Sequence, residues 1–142
     1  MSEFLQEQTS FALISKKTPL ISNLNMLENI SIIKEVHEHL ATKDAQKEAR
    51  EYLAKIDLES ISLHRANMCD AYEIFCVSLI RAMMSSDKKV IIISPISLLE
   101  DQFSITDIIG IIQRLQTDKD ILVLDTLSNE THYKEDLCNI VK

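Results

Sequence analysis

The run Val90-Ile91-Ile92-Ile93 limits how this chain can fold more than any other stretch. It is β-branched and uncharged throughout, the pattern of a strand buried on both faces of a parallel sheet. Ser94-Pro95 ends the run, because proline cannot donate to a sheet ladder, and Asp87-Lys88-Lys89 leads into it. Upstream, Ala71, Ile74, Phe75, Ser78, Leu79, Ala82 and Met83 recur at helical spacing. Helix, tight turn and central strand, with Ile93 inside the sheet core, are therefore expected between residues 69 and 101.

The rest of the chain arranges itself on either side. Phe11-Ala12-Leu13-Ile14 reads as a first short strand, closed by Ser15-Lys16-Lys17-Thr18-Pro19. Asn25 is placed to cap a helix from Met26 to about Leu40, with Glu28 as its capping-box partner. Thr42 is expected to cap a second helix, Lys43 to Ile56, striped by Ala45, Ala49, Tyr52, Leu53 and Ile56. Lys47 and Glu51 have the spacing of a surface ion pair on that helix. Residues 57–67 read as irregular.

Beyond the central strand, Ser104 and Asp107 signal another capping box, opening a helix through Leu115. Its stripe is Ile105, Ile108, Ile109, Ile112 and Leu115. Ile121-Leu122-Val123-Leu124 is a last strand, and a C-terminal helix is expected from Thr131 to Val141. Strand–helix–strand connections of this length imply parallel pairing. The expected fold class is α/β: a small parallel sheet with flanking helices and a helical insertion. One domain spans 1–142, with a sheet core from 11–22 and 86–142 and a helical part over 23–85.

Charge and composition remove several functions. A net charge of −7 is the wrong sign for a nucleic-acid binder. No apolar run approaches the ~18 residues that argue for a membrane span, and the acidic, polar start is unlike a signal peptide. The three cysteines show no metal-ligand spacing and read as reduced thiols. His37 and His39 lie two apart, which on a helix points them to different sides, so no metal site is expected. Ser94 ends a strand, where α/β proteins place functional groups. It lacks a flanking glycine, and Pro95 removes the following N–H, so it cannot form a nucleophile elbow. The single glycine, Gly110, leaves no glycine-rich loop to cradle phosphates.

Two segments carry a resemblance to the nucleotide-binding domain of ABC transporters. Pro19-Leu20-Ile21-Ser22-Asn23-Leu24-Asn25-Met26-Leu27-Glu28-Asn29-Ile30 resembles the family's LxPxLTVLENV stretch after the Q-loop. Arg81-Ala82-Met83-Met84 resembles the ARAL that follows the signature sequence, and KKVIIISPISLLED falls on the Walker B strand and D-loop. The resemblance covers about Phe11 to Asp125 and implies part of a P-loop NTPase fold. It begins after the family's P-loop strand and Walker A, so it implies that this portion is absent.

The matched positions imply lost chemistry. Ile93 stands for the Mg-binding Asp, Ser94 for the catalytic Glu, Lys16 for the Q-loop Gln and Asp125 for the switch His. Cys69-Asp70-Ala71-Tyr72-Glu73 replaces LSGGQ. A Mg-nucleotide site needs carboxylates and backbone donors together. The expectation is no enzyme, no catalytic residue, no cofactor and no metal.

What the resemblance keeps is the part that docks a permease. It implies a non-catalytic cytoplasmic adaptor or regulatory subunit on an ABC permease or active ATPase, held at the membrane's inner face only through that partner. The alternative is a self-assembling scaffold. Leu20, Leu24 and Met26 either border the partner surface or anchor the helical part to the sheet. Ile121, Leu122 and Val123 form a strand that is central in the family and an edge here. It would pair with a second copy or an obligate partner unless Phe4 and Leu5, or Leu137 and Ile140, cover it.

Overall fold

The computed structural model describes residues 11–100 and 103–125. The expected N-terminal arm, with Phe4 and Leu5, and the expected helix over 131–141, with Leu137 and Ile140, lie outside the described residues. Three parallel strands, β1 (Phe11–Ile14), β2 (Lys89–Ile93) and β3 (Asp120–Leu124), form a sheet in the order β1-β2-β3. Ala12 lies opposite Val90 and Ile14 opposite Ile92, while Ile92 and Ile93 face Val123 and Leu124 on the other side. The apolar run is thus the central strand.

Val90, Ile91 and Ile92 are buried, as their lack of alternation requires. Ile93 is not core: it is half-buried. The reason is local. It is the last residue of β2, its partner Leu124 is itself partly exposed, and the chain turns away at Ser94.

A helical part joins β1 to β2, as the α/β fold class with a helical insertion requires. Helices α1 (Met26–His37), α2 (Thr42–Lys55) and α3 (Ala71–Met84) follow in order, with short 3₁₀ turns at Glu59–Ile61 and Ala66–Met68. Between β2 and β3 come α4 (Pro95–Leu98) and α5 (Ile105–Arg114).

The capping boxes at Asn25–Glu28 and Ser104–Asp107 are formed. A third, at Asp70–Glu73, opens α3. Each satisfies donors that the first helical turn would leave unpaired. Thr42 does not cap α2. Ala41 holds that position without a side-chain bond, and the Thr42 hydroxyl donates to Glu35 of α1. The Lys47–Glu51 pair does not form either; Lys34 of α1 crosses to Glu48 of α2 at 2.7 Å.

Helix α3 is the pivot of the packing. It lies against α1, α2 and β1, so Phe75 to Ile80 and Ala82 to Met84 are all buried. A helix clasped from several sides is apolar all round rather than striped. On α5 the buried positions are Ile105, Ile108, Ile111 and Leu115, with Ile109 and Ile112 only partly covered. The core runs unbroken from Met26, Leu27 and Ile30 through Leu53, Leu79 and Ile80 to Ile92 and Ile108.

Candidate docking site

The passage from β1 into α1 is built by hydrogen bonds that its sequence only partly announces. Thr18 closes the first turn: its hydroxyl accepts from Ser15 N at 3.1 Å and donates to Leu13 O at 3.1 Å. This leaves Lys16 exposed at the tip of the turn. Asn29, fully buried on α1, then clamps the next segment. Its Oδ1 accepts from Ile21 N at 2.7 Å, and its Nδ2 donates to the carbonyls of Ile21, Leu24 and Asn25. A buried amide in a helix is costly unless paired, and here the pairing fixes residues 21–25. Sequence reading passed over Asn29, although a polar residue on an otherwise apolar face was the available signal.

The segment 60–68 lies alongside. Asn25 bridges to Arg65, and Met26 N and Leu27 N donate to His64 O and Ser62 O at 2.8 and 2.9 Å. Leu63 and Met68 stand 74 % and 62 % exposed, and Ile21 44 %. Of the three residues singled out here from sequence, Met26 is 0 % and Leu20 7 % exposed, while Leu24 is half-buried. Met26 and Leu20 are thus part of the buried core. Ile21 is exposed with Ser22 and Asn23, and Leu24 is half-buried beside them.

A groove of about 530 Å³ runs beneath this passage. Its walls include Lys16, Thr18, Leu20, Ile74, Phe75 and Leu98. At one end Asp70 and Glu73 open α3. A helix N-terminus attracts anions, but here Asp70 Oδ1 already accepts from Glu73 N at 2.8 Å. A phosphate at this end would meet the Asp70 carboxylate, which lines the groove.

The end of β2 presents an apolar and a hydroxyl side chain, Ile93 and Ser94. Ile93 offers no ligand atom, and Ser94 adopts a left-handed backbone, φ 52°, with its N–H donated to Leu124 O at 2.7 Å. Pro95 begins α4 directly after it. Among the described residues, no three His, Cys, Asp or Glu side chains converge as a metal site. His37 ends α1, and His39 sits beyond it with φ 55°, both exposed. Cys69 precedes α3 rather than belonging to it, and Cys76 is fully buried. Burial pushes the Cys76 thiol up to about 12, and burial likewise raises Tyr72, its hydrogen-bond partner, to about 12. Tyr72 also stacks on Phe103, with ring centroids 4.7 Å apart. These groups stay neutral at physiological pH and serve packing.

The strand Ile121-Leu122-Val123 is at the sheet edge, with β2 as its one neighbour among the described residues. Leu122 is 39 % exposed; Ile121 and Val123 are half-buried.

Solved structures of similar shape decide the fold. A dimeric structure of the ATP-binding cassette MJ0796 in a post-hydrolysis state, bound to ADP and Pi, matches with a TM-score of 0.63 and 21 % identity. The match covers 89 % of this chain and 56 % of that one. A second dimeric structure of MJ0796, described as a bacterial ABC transporter cassette, matches with a TM-score of 0.64 and 17 % identity. It covers 92 % of this chain and 59 % of the cassette. The fold is that of part of an ABC cassette. This chain spans less than two thirds of the length of the cassettes it matches. No family model and no curated protein matches the sequence. Among the described residues, no helix is long and apolar enough to cross a membrane.

Proposed function

We propose that this cassette-like chain is non-catalytic and works by binding, as an adaptor or regulatory subunit on an ABC permease or an active ATPase. One observation carries the reading: the end of the central strand presents Ile93 and Ser94, and neither supplies a carboxylate for a metal or for water activation. In the resemblance these are the Mg-binding and general-base positions. The chain's single glycine lies inside α5, so none of its loops is the glycine-rich kind that a Walker A motif provides. In this reading a degenerate Walker B leaves a scaffold whose passage over residues 15–27 is the part that docks a partner.

In this reading the protein acts on the cytoplasmic side, reaching the membrane face through its partner, with no nucleic acid and no cofactor involved. Purified protein should show no Mg-dependent ATP hydrolysis. It should co-elute with an ABC permease or ATPase from its own host, and Leu24→Glu should break that complex without lowering the melting temperature. Hydrolysis by the purified chain would overturn the proposal.

A second reading, the self-assembling scaffold, is favoured by one feature, the β3 edge with Leu122 exposed. A strand edge of this kind pairs readily with another chain. Sedimentation of the chain alone and of Val123→Pro separates the two. A wild-type homodimer that the variant dissolves supports the scaffold, and a wild-type monomer removes it.

A further inference from the structure

A second, smaller cleft of about 270 Å³ lies between α1, β1 and the C-terminal end of α3, and Arg81 is its positive wall. Arg81 is half-buried, and its guanidinium donates to Thr18 O at 3.0 Å and Pro19 O at 3.4 Å. Those two bonds hold the side chain in place and use only part of the guanidinium's five N–H donors. A desolvated guanidinium ordinarily faces a carboxylate, because burying an uncompensated charge is costly. Among the described residues no carboxylate lies within ion-pair distance of Arg81, in a chain with 22 acidic residues. Burial lowers its pKa, and no neighbouring anion counters that. Asp87 also lines the cleft and is itself engaged in an interaction. The other polar walls are His37 and the hydroxyl-bearing Ser78, Ser85 and Ser86.

We propose that this cleft receives an acidic side chain, Asp or Glu, from a protein partner, with Arg81 as the bidentate anchor. Guanidinium and carboxylate match as parallel pairs of hydrogen bonds. Size favours a side chain over a free ligand: the cleft falls below the roughly 300–1,000 Å³ of small-molecule sites. The inference rests on the adaptor reading above and names the chemistry of that partner.

The test is an NMR titration of the arginine side-chain N–H signals of the full chain with sodium acetate, the carboxylate probe. The expected result is a saturable shift at Arg81, below about 100 mM acetate, with no such shift at exposed Arg50 or Arg65. N-acetyl-glutamate N-methylamide should bind at least as tightly as acetate. Arg81→Gln should weaken binding at least about tenfold. Because that variant also loses the Thr18 and Pro19 bonds, Ser86→Asp provides a second arm. Ser86 is exposed, so a carboxylate there should compete for Arg81 and abolish the acetate shift with the melting temperature unchanged. No saturable shift at Arg81, an equal response to phosphate, or weaker binding of the blocked glutamate each overturns the proposal. Failure of acetate binding would leave the absence of ATP hydrolysis untouched, so the two readings fail separately.

Discussion

The passage from β1 into α1 and the passage from β2 into α5 leave the parallel sheet at the same end, yet they are held by different means. Between β1 and α1, side chains tie the backbone: Thr18, Asn25, Asn29 and, from α3, Arg81. Between β2 and α5 the described residues are tied by backbone bonds, Ser94 N to Leu124 O and Leu98 N to Ser94 O, around two left-handed residues, Ser94 and Glu100. The first passage therefore has one specified shape. The second follows a strand-to-helix turn that starts at Ile93 and Ser94. Side-chain clamps shape the first passage, whereas Ile93 and Ser94 bring no charge to the strand end that opens the second.

Removing the clamp should have the largest effect. Asn29→Ala removes four side-chain bonds to the backbone of residues 21–25, the partners of Ile21 N and Leu24 O among them, and should cost about 3 kcal/mol. Urea denaturation measures it. A loss below about 1 kcal/mol would mean that the first passage is no more specified than the second.

Alkaline pH probes α3, the helix both passages lean on. The Cys76 thiol rises from 9.0 to about 12 and Tyr72 from 10.0 to about 12, in both cases chiefly through burial. Their folded values lie above their unfolded ones, so the neutral forms favour the native state. That contribution is fully present below pH 9 and is lost as pH climbs toward 12. The two share a hydrogen bond and titrate as a pair. The melting temperature should fall steeply between pH 9 and 12, and less so in Cys76→Ala. A flat wild-type profile would show that the pair is not buried as described.

At the second passage the effects are smaller. Ile93→Asp should cost only about 1–2 kcal/mol because the site is half-buried, whereas Ile92→Asp should exceed about 4 kcal/mol. Equal losses in thermal melts would erase the distinction between the strand and its end. Ser94→Gly relieves the left-handed backbone and should stabilise by about 0.5–1 kcal/mol. A loss instead would mean that the Ser94 side chain holds the turn.

Much of this contrast was legible in the sequence, and the reasons for the misses are physical. Asn25 with Glu28 and Ser104 with Asp107 announce their helices, because capping is a local bond between residues three apart. The charge-free run at 90–92 announces the central strand. Thr42 was misread since Glu35, on another helix, captured its hydroxyl. Arg81 reaches across 63 positions to Thr18, and no local pattern encodes such a bond. Met26 and Leu20 looked like surface candidates because an apolar residue after a turn reads the same whether it faces a partner or the core. Burial separated them, and burial is a property of the whole packing.

The most direct measurement of the central claim is calorimetric titration of the purified chain with Mg-ATP. No heat of binding up to millimolar nucleotide is the result this account predicts. Saturable binding in the micromolar range would contradict it, since a chain with Ile93 and Ser94 at the strand end and no glycine-rich loop would then still hold a nucleotide site.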